Sequence, residues 1–218
     1  LNAEAGIDLG KTTRVNTRNR PADDVLEQLA DILLAAKNPC IVCGDEIVKS
    51  DALREAGEFA TTLGAAVYQQ SVPYGAHFIS EHPCYIGGLS RDQGDVRNVL
   101  SAYDMMISVG ADPLRMSVYS EIDPLPNGMS VIQIGLLDWE MGKNFAADMA
   151  VRGDVRETLR ALIPVLQAKG GNALATKATG AIDAMTPHNW SATRQAVGKS
   201  ILAAKDANPI DPNWMTWQ

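Results

Sequence analysis

The sequence predicts an α/β protein: a doubly wound, mainly parallel sheet of five or six strands with helices on both faces, Rossmann-like in outline. Three observations predict it. Short, largely apolar runs without polar alternation (Cys40–Cys43, Ala65–Tyr68, Met105–Val109, Ser130–Ile134) mark strands buried on both faces. Segments of helical periodicity separate them, as parallel strands joined by crossover helices require. Glycine follows three of the strands, at Gly44, Gly110 and Gly135, where a ligand crevice opens in such sheets.

The elements follow in order. Pro21–Lys37 is the first helix, with Val25, Leu26, Leu29, Ile32, Leu33 and Ala36 on one face. Pro21 suits a first turn, Asp23 and Asp24 complement the positive dipole end, and Lys37, Asn38 and Pro39 stop the helix. Strand Cys40–Cys43 ends at Gly44. Ser50 is the expected cap of a second helix, Asp51–Leu63, which Gly64 closes. Ala65–Tyr68 is a strand, and Gln69–Asp95, rich in Gly, Pro and His, is expected to be irregular. Val96–Ala102 is a short helix, Met105–Val109 and Ser130–Ile134 are strands, and Met149–Val151 completes the set. Helix Val155–Gln167 opens on the capping-box pair Asp154 and Glu157.

Past Gln167 the composition shifts. Ala168–Gly180 reads as an Ala/Gly/Thr/Lys linker, and Asn189–Lys205 as an amphipathic helix anchored by Trp190, Val197, Ile201 and Leu202. Residues 1–20 are thus expected to be a leader or linker from a preceding domain, and 21–167 the α/β unit. Residues 168–188 are a linker, and 189–218 a helix and the entry segment of a following, missing domain. The chain has no initiator Met and is expected to begin inside a longer product.

Of 218 residues, 46% are hydrophobic and 21% charged, ample for a real core. A net charge of −7 speaks against a nucleic-acid partner, which needs clustered Lys and Arg. No apolar run is long enough to predict a membrane span, and the first residues lack the apolar stretch of a signal peptide. Three cysteines give an odd count and no disulfide framework, so a reducing, cytoplasmic location is expected.

Motif by motif, the chain offers little chemistry of its own. Gly6–Thr12 looks like a phosphate loop, but it has three residues between its glycines where the loop needs four, and no strand precedes it. Cys40 and Cys43 have CxxC spacing; on a strand, residues three apart point to opposite faces, so they are expected to be buried apolar thiols. His77 and His82 could converge on a metal or do acid–base work, against a plainer reading in which His82-Pro83 sets a turn. Asp45, Glu46 and Asp51 form an acidic cluster expected to be solvated. The small residues differ in kind. Gly44 with Asp45, Gly87 with Gly88, and Gly110 with Ala111 would let backbone amides approach a pyrophosphate, against the plainer reading of tight turns.

Several runs together resemble one family. NPCIVCGDEIVKSDALREAGEFATTLGAAVY is similar to an "nPvivaGdgv" run followed by "lGapv"; GAHFISEHPCYIGG to a "G…HP.y.G" loop; DMMISVGADP to a "D.vl.vGa" strand and turn. VIQIGLLDWEMGKN resembles a VIQID-type strand followed by a WEIGKN-type turn, and GDVRETLRALIPVL the closing helix. From Pro21 to Leu166 the order matches the central domain of thiamine-diphosphate-dependent enzymes, the acetolactate-synthase and benzoylformate-decarboxylase group. The resemblance implies a non-catalytic central domain of an enzyme acting on 2-keto acids, a decarboxylase, carboligase or lyase. It implies thiamine diphosphate and Mg²⁺ in the full-length enzyme, bound by flanking domains of the same chain and not by this one, and a homo-oligomer. Central domains of the group hold FAD, ADP or nothing. Gly135 stands where the family often has Asp, an acid able to accept hydrogen bonds from a ribose. Losing such a bond costs roughly 1.5–3 kcal/mol, which disfavours a tightly held nucleotide. The loop after Gly110 also lacks the Asp-Asp-Arg run of FAD-holding synthases. The alternative is a stand-alone FAD-, ADP- or NAD-binding module contacting its ligand through Gly44, Asp45, Gly87, Gly88, Gly110 and Ala111.

Overall fold

The computed structural model describes residues 10–204. The segment Gly6–Thr12 therefore falls partly outside the described residues, as does the expected entry segment beyond Ala204. Six strands form one sheet in the order β3-β2-β1-β4-β5-β6. They are β1 (Pro39–Cys43), β2 (Ala66–Gln69), β3 (Tyr85–Gly88), β4 (Met105–Val109), β5 (Ser130–Gly135) and β6 (Met149–Arg152). Every pairing is parallel, as consecutive apolar residues require: β1 and β4 are buried along their whole length.

Two cores flank the sheet. On one side Leu26, Leu29 and Leu33 of α1 (Asp23–Ala35), Phe59 and Leu63 of α3 (Leu53–Leu63), and Leu159, Leu162 and Leu166 of α5 (Val155–Met185) pack on Ile41, Cys43, Ile107 and Ile132. On the other side Val96 and Leu100 of α4 (Gln93–Leu100) join Leu114 over Cys40, Val42, Tyr68 and Met106. Cys40 and Cys43 thus belong to opposite cores, as strand alternation dictates. Burial pushes both thiols far above their ordinary value and Cys84 up to about 11.

Four expectations about elements need correction. Ser50 does not open a helix; it closes a short one, α2 (Asp45–Lys49), and α3 starts only at Leu53. Between them Asp51 takes a φ of +54°, a conformation open to Asp that redirects the chain. The stretch taken as irregular contains β3, a four-residue edge strand with two glycines and a register shift against β2, which carries little periodic signal. Helix α4 begins earlier than Val96 because the Asp92 carboxylate caps it, accepting from Asp95 N at 3.0 Å. The expected linker is helical, since α5 runs on to Met185 and breaks only at Gly171, where φ is +52°.

Tertiary contacts explain that last difference. Leu174 and Ala178 are buried on the far arm of α5, and Ala178 lies so close to Gly64 that a Cβ there would meet its Cα at 2.6 Å. Lys169 pairs with Glu27 and Asp31 of α1, and Lys177 donates to Ala36 O at 2.6 Å. Packing carries the helix on through an Ala-rich segment in spite of its three glycines. After a 3₁₀ turn (Thr186–His188), Asn189 caps α6 (Trp190–Ala203), accepting from Ala192 N at 2.9 Å.

Candidate functional site

The strand order puts the topological switch between β1 and β4, so the crevice of interest lies outside their carboxyl ends. Backbone hydrogen bonds draw the strand tips together there. Gly44 N donates to Val109 O at 3.1 Å, Glu46 N to Gly110 O at 3.0 Å, and Gly110 N to Ile134 O at 2.7 Å. Glu46 spans the gap from α2 to the tip of β5. Its carboxylate accepts from Leu136 N at 2.6 Å and Leu137 N at 3.2 Å, and the residue is only 5% exposed. Burial raises its pKa; the two amides and Lys49 oppose the rise, and Asp154 adds to it.

The glycines make room for protein atoms here. A Cβ on Gly44 would fall on Ala111 Cα and Gly110 O and lie 2.6 Å from Gln70 Oε1. On Gly110, whose φ is +57°, it would lie 2.7 Å from Glu46 Cβ. On Gly135 it would meet Glu46 Oε2 at 3.0 Å. The space left between Glu46, Ser108, Gly110, Gln133 and Gly135 is about 10 Å³, the room of a single water. Gln70 closes the side toward β2: Oε1 accepts from Asp112 N at 3.1 Å, and Nε2 donates to Val72 O at 3.0 Å.

Asp45 and His77 stand next to this plug. Asp45 pairs with Nε2 of His77, which is 1% exposed, and His77 Nδ1 is buried without a partner. A cavity of about 340 Å³ opens beside them, lined by Val48, Lys49, Tyr74 and Gly75 as well. His82 faces elsewhere: its Nε2 lies 3.2 Å from Thr61 Oγ1, and its Nδ1 accepts from Cys84 N at 3.2 Å. The two histidines therefore do not converge, and His82 closes a turn in which Tyr85 N donates to its carbonyl at 2.9 Å. Burial lowers the His82 pKa against a contribution from Gly57 that raises it. Among the described residues no three His, Cys, Asp or Glu side chains gather as metal ligands.

Of the six residues that the sequence singles out, the structure brings Gly44, Asp45, Gly110 and Ala111 together at the switch point. Gly87 and Gly88 lie two strands away on β3, roughly 10 Å by strand spacing. A Cβ on Gly87 would lie 3.6 Å from the Trp190 ring, and one on Gly88 would meet nothing within 4 Å. Sequence reasoning missed Glu46, which it placed in a solvated cluster; only Asp51 of that trio is strongly exposed. It missed Gln70 as well. The available signal was an acid just past one strand-tip glycine and a bare glycine at another, but linking them needs the sheet order.

An open cavity of about 550 Å³ lies away from the crevice, where α3 and α5 begin. Glu55, 2% exposed, meets Arg54 at 2.9 Å and Arg156 at 3.3 Å there, while Arg156 also reaches Asp51 at 3.0 Å. Burial pushes the Glu55 carboxyl up, but its hydrogen bonds and the two arginines outweigh it and hold it below the ordinary value. This cluster ties two helices together.

Comparison with known proteins agrees with the fold. The family model "Thiamine pyrophosphate enzyme, central domain" matches residues 26–162. The chain belongs to the thiamine pyrophosphate enzymes, as their central domain. It is 25% identical over 204 residues to a benzoylformate decarboxylase of Pseudomonas aeruginosa, covering 86% of this chain and 38% of that protein. It is 26% identical over 153 residues to an acetolactate synthase of Mycobacterium avium, covering 69% of this chain and 24% of the relative. Among solved structures, one assigned as a thiamin diphosphate-dependent enzyme of Mycobacterium smegmatis superposes with a TM-score of 0.67 at 32% identity, over 72% of this chain and 31% of that one. The chain thus spans well under half the length of these relatives. The six parallel strands are the α/β frame of a central domain in a thiamine-diphosphate-dependent family. No helix among the described residues is long and apolar enough to cross a membrane.

Proposed function

We propose that this chain is the non-catalytic, bracing domain of a cytoplasmic enzyme that breaks or forms the bond next to the carbonyl of a 2-keto acid. Thiamine diphosphate and Mg²⁺ are held by flanking domains of the same polypeptide, which works as a homo-oligomer. The observation that carries this reading is the crevice itself: the place where a doubly wound sheet takes its ligand is filled by Glu46, with about 10 Å³ to spare. Gly44, Gly110 and Ala111 then serve close packing, and Gly87 seats Trp190. Exposed apolar side chains add support. Val48, Tyr74, Tyr119, Leu137 and Trp139 all stand on segments leaving the carboxyl ends of strands, where a covering domain would desolvate them.

The 218-residue chain, supplied with thiamine diphosphate, Mg²⁺ and benzoylformate, is expected to release no CO₂ above the protein-free rate. Catalysed release would end the bracing reading. Millimolar ADP or FAD is expected to leave its melting temperature unchanged; a shift of several degrees would instead promote a nucleotide-binding role for Gly44, Asp45, Gly110 and Ala111.

A further inference from the structure

We infer that Glu46 is a built-in ligand: its carboxylate occupies an oxyanion site made by the Leu136 and Leu137 amides at the tip of β5, a latent site for a small carboxylate. Three observations carry this. Both carboxylate oxygens are used, one on each amide, at 2.6 and 3.2 Å. Glu46 Oε2 lies 3.0 Å from where a side chain at position 135 would begin, so an acid at 135 and Glu46 compete for one space. The φ of Gly135 is not in the left-handed region, so its missing side chain reflects that competition and not backbone strain.

The sequence pattern fits this exchange. Glu46 stands at the second "g" of the "nPvivaGdgv" run, and Gly135 at the Asp of VIQID. In this chain the carboxylate thus stands on the facing turn and the strand tip is bare. An Asp at 135 could cap the same turn by accepting from Leu137 N, the amide two residues on. Glu46 reaches the same amides from α2 and fastens that helix to β5.

The inference deepens the filled-crevice reading, and it fails separately from it. It is tested by a double-mutant cycle on the 218-residue chain, with Glu46→Gly, Gly135→Asp and the pair, followed by melting temperature. Each single substitution is expected to lower Tm by roughly 5 °C or more: one strands two buried amides, the other forces two carboxylates together. The pair is expected to melt above both singles, since one acid again serves the amides. Glu46→Ala should in addition be stabilised by sodium acetate over sodium chloride at equal ionic strength, with the parent chain indifferent. Additive losses in the cycle, or equal responses of parent and variant to acetate, would overturn the inference. Neither result bears on whether the chain turns over a 2-keto acid. Should Glu46→Ala not fold, Glu46→Gln replaces it: one amide loses its acceptor, and the cycle with Gly135→Asp remains readable.

Discussion

Glu46 sets a pH dependence at the level of one side chain. Its folded carboxyl titrates above the ordinary glutamate value of 4.5, chiefly because it is buried. The folded chain therefore holds that proton more tightly than the unfolded chain does. The resulting stability is fully present below the ordinary value and declines as pH rises through the raised one. Urea unfolding of the parent and of Glu46→Gln across the acid range should show the parent losing stability relative to the variant as pH increases. Gly110→Ala makes a second test: the φ of +57° and the 2.7 Å approach to Glu46 Cβ should together cost about 2–4 kcal/mol in urea unfolding. Residues such as these were half legible in the sequence. The positions of Gly44, Gly110 and Gly135 at strand ends follow from local pattern. What each glycine admits does not, because Glu46 and Gly135 meet only after β1, β4 and β5 are laid side by side.

Among elements, the long, buried strands were readable because consecutive apolar residues leave few alternatives. The edge strand β3 was not, being four residues with two glycines. The far arm of α5 was hidden for a different reason: its glycines read as a linker although alanine dominates the segment, and the arm packs on Gly64 and α1. Ending the chain at Gln167, the boundary that composition suggests, should thus lose the burial of Leu174 and Ala178. This is about 3 kcal/mol, or roughly 6–12 °C in Tm by calorimetry. Gly64→Ala attacks the same junction through its φ of +63° and its contact with Ala178, and should cost about 2–4 kcal/mol in urea unfolding.

For the molecule as a whole, the three cysteines report on global opening. Cys40 is buried in one core and Cys43 and Cys84 in the other, and burial keeps all three thiols protonated. A thiol reagent such as a disulfide dye should label none of them at neutral pH until the chain unfolds, and then all three at one rate. Stepwise labelling would mean that the two sides of the sheet open independently.

Trp190 rests on Gly87 and lies 6.2 Å, ring to ring, from Tyr85, while Asn189 donates to Pro83 O at 3.2 Å. The last helix among the described residues, α6, thus rests on the outermost strand of the sheet they form. Proteolytic loss of that helix would bare the Tyr85 ring and the small-residue face of an edge strand, an apolar seam on which a second molecule can settle. Clipped material should therefore scatter more light on standing than the intact chain does.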